Sequence, residues 1–334
     1  MTQHNLQQIL NNWDIKFKKV RDDIDICGSP ERAKFRIVVE DNDNKLYILE
    51  NIHSKLFERK NIIAETSEYL EKKKLLGATS YLRNNKNEFL SLVPQNYPVD
   101  NNCCGQPRMH SQDEYWQVLP FVDGISLKRP KYVFDSWRGE TSAQFLIDLK
   151  NKNKKIPFFD HNDVFSLSAY VLEITKSIQN HNPEIYNNIK SIIKYLQDNF
   201  FNSYEKLPVS FCHGDFHPLN IIWGKDKINS VIDWEFVGYK KESYDVANMV
   251  GCVGSEDLNG LIDGIVPGFI KALKEKNFLK KESWDTLIDF IIALRFAWIS
   301  EWLRRDDKEM ITQEIKYMNL LIKNKENLNK AWNI

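Results

Sequence analysis

HGDFHPLN, residues 213–220, is followed twelve residues later by IDWEF, residues 232–236. The two stretches place His213, Asp215, His217 and Asn220 in one short segment and add Asp233 between apolar neighbours. Three chemistries use such residues. A structural zinc site wants tetrahedral sets of Cys and His. His213 and His217 are spaced i, i+4, but Gly214 and Pro218 oppose the helix that would put them on one face. A nucleophile reading would use Cys212, which ends the apolar run PVSFC and reads better as a small core residue. Phosphoryl transfer needs a carboxylate to orient and deprotonate the attacking hydroxyl, and oxygen ligands for magnesium on the nucleotide phosphates. Asp215, Asn220 and Asp233 supply that set. Their setting is strand, loop and strand, with VSFC leading in, NIIW leading out and VID returning the last carboxylate.

The order of these pieces resembles a known family. HGDFHPLN is similar to the HxDxxxxN catalytic loop of the protein kinase-like fold, in the HGDxHxxN form of the aminoglycoside phosphotransferase and choline kinase family. IDWE resembles that family's metal-binding IDxE, and Asp245-Val246-Ala247 resembles the short D-[LV]-A segment that follows it. The resemblance covers residues 20 to 325, with its specific motifs in 211 to 247. It implies an α+β, bilobal protein kinase-like fold, with a small β-rich N-terminal lobe (1–122) for the nucleotide. A larger, mainly helical lobe (123–334) would carry catalysis and the substrate.

By the same resemblance Asp215 would be the catalytic base, and Asn220 and Asp233 the Mg²⁺ ligands beside ATP or GTP. Glu235 matches the glutamate of IDxE. His213 would support the loop backbone, His217 would shape the loop or approach phosphate, and Asp245 would brace the loop. YWQVLPFV, residues 115–122, resembles the hinge strand. Pro120 has no N–H, so Phe121 or Val122 would donate to adenine. Gly28-Ser29-Pro30-Glu31-Arg32 sits where a phosphate-covering loop belongs, and Arg32 is its candidate phosphate contact.

One position departs from the family. Where it carries a strand lysine in a YxLK-like segment, this chain reads Tyr47-Ile48-Leu49-Glu50. A carboxylate repels phosphate. Some sugar kinases of the wider fold have a non-lysine residue there, and Arg32, Lys55 or a metal would compensate. Two readings follow: an active small-molecule kinase, or a kinase-like module that holds a nucleotide or partner without turnover. Protein kinase activity lacks its DFG, APE and activation segment.

The rest of the chain bounds these readings. Its 334 residues suit two domains, and 42% apolar residues can bury real cores. Lys plus Arg equals Asp plus Glu, 46 each, which gives no overall pull towards nucleic acid or an anionic membrane. No signal-type segment or run of about 18 apolar residues occurs, so a cytoplasmic chain without a membrane span is expected. Five cysteines without CxxC spacing read as reduced thiols.

Periodicity predicts a helix over residues 5–20, strands over 33–40 and 46–52 around a turn at 41–44, and a helix over 57–75. Strands follow over 88–93 and 114–122, then helices over 136–149, 164–179 and 183–199. Short strands at 209–212 and 230–232 flank the motif loop, and helices run from 245 to the end. On one of these, Glu301 and Trp302 are candidates for contact with a small hydroxyl-bearing acceptor, and Arg138 in WRGE is another ligand candidate. Oligomeric state is left open.

Overall fold

Asp41 sets the first hairpin. Its Oδ1 accepts the N–H groups of Asp43 (2.9 Å) and Lys45 (2.8 Å), and Asn44 takes the left-handed backbone at φ 62° that Asn tolerates. Strands β2 (Ala33–Asp41) and β3 (Leu46–Ile52) run antiparallel from this turn. With β1 (Phe17–Val20), β4 (Ser91–Gln95) and β5 (Gln112–Pro120) they form an antiparallel sheet of order β1-β2-β3-β5-β4. The computed structural model describes residues 3–26, 31–95, 112–153 and 156–334. Cys27, Cys103, Cys104 and Gly28-Ser29-Pro30 lie outside the described residues.

Helix α1 (Gln3–Leu10) covers one face of the sheet. Its Leu6, Ile9 and Leu10 pack with Trp13, Val39, Leu49, Trp116 and Val118. The periodicity predicted one helix over residues 5–20. The chain instead turns through Asn11–Trp13, Asp14 takes φ 56°, and Phe17 opens β1. The apolar spacing of Leu6, Leu10, Trp13 and Phe17 was real, but its last member packs on this core from a strand. Helix α2 (Phe57–Lys72) follows β3.

The chain divides into two units: residues 1–74 with 78–123, and 75–77 with 124–334. The first holds the five-stranded sheet. The second is mainly helical, with α3 (Ser136–Lys152), α4 (Leu167–His181), α5 (Pro183–Asn199) and the short α6 (Phe201–Tyr204) before the motif loop. After it come α7 (Tyr244–Glu256), α8 (Ile265–Glu275), the short α9 (Lys281–Asp285), α10 (Leu287–Arg304) and α11 (Lys308–Ala331). Ser166 caps α4 through Ala169 N–H, Pro183 opens α5, and Asp307 caps α11 through Met310 N–H. Residues 287–296 of α10 are buried on every side, which marks a central core helix. Among the described residues no helix is long and apolar enough to cross a membrane.

Candidate active site

Two antiparallel pairs of strands bring the motif residues together. β6 (Val209–Cys212) pairs with β9 (Gly238–Lys241), and β7 (Ile221–Trp223) pairs with β8 (Ile228–Val231). The loop 213–220 leaves β6 and enters β7, and the loop 232–237 leaves β8 and enters β9. Ile221 stands opposite Val231, so Asn220 and the 232–233 segment fall side by side. The Ile232 peptide ties the loops: its N–H donates to Asn220 O (2.9 Å) and its carbonyl accepts from His213 Nε2 (3.0 Å).

The loop has an internal frame. His213 is fully buried; its Nδ1 accepts Asp215 N–H (3.2 Å) while Nε2 faces the Ile232 carbonyl. That pairing fixes the neutral tautomer with the proton on Nε2. Burial lowers its pKa to about 4, against the pull of the Asp215 and Asp233 charges. Asp245, in the first turn of α7, accepts the N–H of His213 on one oxygen (2.7 Å) and that of Gly214 on the other (2.8 Å). Burial raises its pKa to about 6, with those two amides pulling the other way. Gly214 has φ 88°, and a Cβ there would stand 2.1 Å from the Phe236 carbonyl oxygen. Only glycine fits both demands.

Asp215 is half-buried at the end of this frame. Asn220 Nδ2 donates to its Oδ2 (2.9 Å) and to its backbone carbonyl (2.9 Å), and Asn248 Nδ2 donates to Oδ1 (3.2 Å). His217 Nε2 lies 3.6 Å from Oδ1, a charge contact longer than a hydrogen bond. Burial opposes ionisation, but the His217 and His213 rings and the Asn248 amide outweigh it and hold the carboxyl below its ordinary range.

Asn220 turns its amide nitrogen to Asp215, so its Oδ1 is directed away from that carboxylate. An amide oxygen and the Asp233 carboxylate are hard donors of the kind magnesium takes, with phosphate and water completing the shell. Asp233 holds the left-handed backbone at φ 65°, a conformation uncommon outside glycine. Glu235 is half-buried in the turn that follows. Among the described residues no three His, Cys, Asp or Glu side chains gather as a metal set. Cys212 is buried, its Sγ meets the Ser210 carbonyl at 3.6 Å, and burial pushes its pKa up; it has the environment of a core thiol.

A cleft of about 410 Å³ opens in the second unit beside His217. His217 meets the Trp298 ring edge-on at 6.0 Å, and Trp302 lines the wall. Glu301 does not line it. The Glu301 carboxylate turns to Arg304 (2.8 Å) and Arg305 (2.6 Å), because i+3 and i+4 cations on the same helix reach it first. Arg138 is buried between the Trp137 and Trp223 rings and bonded to Asp135.

In the first unit, Glu50 sits on the sheet face opposite the α1 core. Arg36 stands across from it on β2, with Nε 2.7 Å from Oε1, and Gln117 on β5 donates to Oε2. Lys55 is exposed just after β3, and Arg32 is half-buried just before β2. Phe121 N–H already donates to the Leu46 carbonyl (3.0 Å), which removes it as a hinge donor.

Sequence reasoning missed Asn248, Cys252 and Arg36. Asn248 and Cys252 are i+3 and i+7 from Asp245, so the period of α7 carries them to the same face. Arg36 is found by registering the hairpin across its turn.

The profile of the phosphotransferase enzyme family matches residues 79–275. No curated protein matches by sequence. An amicoumacin kinase solved with AMP-PNP, Ca²⁺ and Ami is 12% identical at TM-score 0.66, over 96% of this chain and 92% of that one. An aminoglycoside phosphotransferase from Alicyclobacillus acidocaldarius is 10% identical at TM-score 0.63, over 98% and 95%. A spectinomycin phosphotransferase solved with ADP and spectinomycin is 14% identical at TM-score 0.60, over 96% and 94%. At such identities the likeness is one of fold, and that fold is protein kinase-like.

Proposed function

The chain belongs to the phosphotransferase enzyme family, and from that premise we propose how it works and on what. It is a small-molecule phosphotransferase with an alcohol group as acceptor. The proposal is that it transfers the γ-phosphoryl group of ATP or GTP, with Mg²⁺, to a hydroxyl of a small metabolite such as a sugar or amino alcohol. Residues 1–122 serve as the nucleotide lobe and residues 123–334 carry catalysis and the acceptor.

The observation that carries this reading is Asp215: ionised, oriented by two amides, and one side chain away from a cleft of ligand size. Asp215 takes the proton of the acceptor hydroxyl as that oxygen bonds to the γ-phosphorus. The bond from phosphorus to the β–γ bridging oxygen breaks, and the nucleoside diphosphate leaves. Asn220 and Asp233 would hold the magnesium, which neutralises phosphate charge when bound. Asp245 and His213 keep the loop in shape, and Val122 N–H is the hinge donor left once Phe121 is engaged. Arg36 is the cation this reading puts beside the usual lysine's place, with Arg32 as a second phosphate contact. The alternative of a binding module without turnover rested on bare repulsion by Glu50, and the Arg36 pairing argues against that premise. Free Cys212 and Cys252 suit the cytoplasm. The test is nucleotide consumption by wild type and Asp215→Asn across an acceptor panel. Loss of turnover with nucleotide affinity retained supports the reading; unchanged turnover removes Asp215 from it.

A further inference from the structure

The cleft beside His217 has its charges already paired. Glu256 is forked by Arg129, Nε to Oε1 at 2.8 Å and Nη2 to Oε2 at 2.6 Å. Glu314 is forked by Arg295, with the two side chains 2% and 3% exposed, and Trp302 Nε1 adds a contact at 3.3 Å. These two acids and two guanidinium groups line the cleft together. A bidentate Arg–carboxylate pair is a strong, directional contact that cancels much of the counter-charge an incoming ammonium group would find.

The aromatic walls are engaged by cations too. The Arg295 guanidinium lies 5.1 Å from the Trp298 ring centre, and that of Arg305 lies 5.5 Å from Trp302. A ring that already carries one cation is a poor host for another beside it, so these tryptophans do not form a cage for quaternary ammonium.

What the cleft offers is hydrogen bonding to uncharged oxygen. Arg295 Nη1 has Cys252 Sγ at 3.9 Å, a weak acceptor at long range, and Nη2 adds Ser255 Oγ at 3.4 Å to its Glu314 bond. A hydroxyl oxygen would complete these donors without disturbing either ion pair. Gln313 and Ser255 supply further neutral donors and acceptors on the wall, and Tyr132 and the two tryptophans supply flat apolar surface for the C–H face of a ring. The volume suits a ligand of monosaccharide size or somewhat larger.

We infer that the acceptor is an uncharged, polyhydroxylated ring compound of the sugar or glycoside class, and that paired carboxylates exclude polycationic and quaternary-ammonium alcohols. The inference rests on the phosphotransferase reading above and narrows it. Its test is acceptor-dependent release of nucleoside diphosphate with magnesium and ATP or GTP. A panel of monosaccharides, methyl glycosides and myo-inositol is set against choline and kanamycin. The expected result is at least one neutral acceptor whose kcat/KM exceeds that of both cations by roughly tenfold or more, about 1.4 kcal/mol. Choline or kanamycin matching the best neutral acceptor overturns the inference and leaves the parent reading standing. Magnesium-nucleotide binding with no neutral acceptor consumed also overturns it. Absence of nucleotide binding is the distinct failure of the parent reading, and takes the inference with it. Arg129→Ala gives an independent check, since its side chain is 60% exposed and its loss releases Glu256. Choline or kanamycin affinity should then rise by roughly tenfold, whereas Glu256→Gln, which removes the acid, should give no rise. An unchanged affinity in Arg129→Ala contradicts exclusion by paired charge.

Discussion

Two carboxylates, one in each unit, have opposite surroundings. Glu50 lies on the sheet against the Arg36 guanidinium at 2.7 Å, with the Gln117 amide on its other oxygen. Among the described residues Asp215 pairs with no arginine or lysine and is held by the amides of Asn220 and Asn248 and by an imidazole at 3.6 Å. One carboxylate is kept for structure and the other for chemistry. A guanidinium partner neutralises Glu50 and fixes it in the sheet. The His217 and His213 rings and the Asn248 amide hold Asp215 ionised, and the Asn220 amide helps aim it, while the carboxylate stays able to accept a proton.

The largest break in this comparison should come from Asp215→Asn. It keeps the shape and removes the base, so turnover should fall by about 10²–10⁴-fold with little change in nucleotide affinity. Single-turnover kinetics beside calorimetry would separate the two. At Glu50 the corresponding change is in stability. Arg36→Ala leaves a buried carboxylate without its cation and should cost about 3 kcal/mol by denaturant unfolding, whereas Glu50→Gln should cost far less. Equal costs would mean the pair is not what stabilises that strand centre. Gly214→Ala should cost about 1–3 kcal/mol and lower turnover as well, because the Phe236 carbonyl blocks its Cβ and φ is positive.

The finest test is the pH dependence of stability. His213 titrates at about 4 in the fold against an ordinary 6.5, so its contribution is full above 6.5 and is lost as pH falls to about 4. Asp245 titrates at about 6 against an ordinary 3.8, so its burial penalty is full above about 6 and is relieved as pH falls towards 3.8. Between about 4 and 6 the two slopes oppose each other. Asp245→Asn should expose the His213 slope, with stability falling towards acid by up to about 1.4 kcal/mol per pH unit relative to wild type. His213→Gln should give the opposite slope. Melting curves across that range in the three proteins would show it, and parallel curves would contradict the assignment.

The two regions also differ in how far they could be read from the chain. Asp215, Asn220 and Asp233 lie in two short loops close in sequence, and the nearness of those loops is legible from the spacing. So is the β2–β3 turn, whose Asp41 and Asn44 bond locally. The rest depends on partners distant in sequence. Arg36 meets Glu50 only through strand register, and Phe121 is used by Leu46 on a neighbouring strand. Glu301 is a candidate acceptor contact in the sequence, yet a helix turns successive side chains about 100° apart and gives it to Arg304 and Arg305. The helix expected over residues 5–20 failed for a related reason. Its apolar residues share one core, but they reach it from a helix, a turn and a strand.

The most direct test of the central claim is calorimetric titration of ATP and GTP, with and without magnesium, into wild type and Asp233→Ala. Magnesium should tighten one nucleotide's binding to wild type by about tenfold or more. Asp233→Ala should lose that magnesium dependence while retaining the fold. No nucleotide binding to wild type under either condition, or the same magnesium dependence in both proteins, would contradict the account.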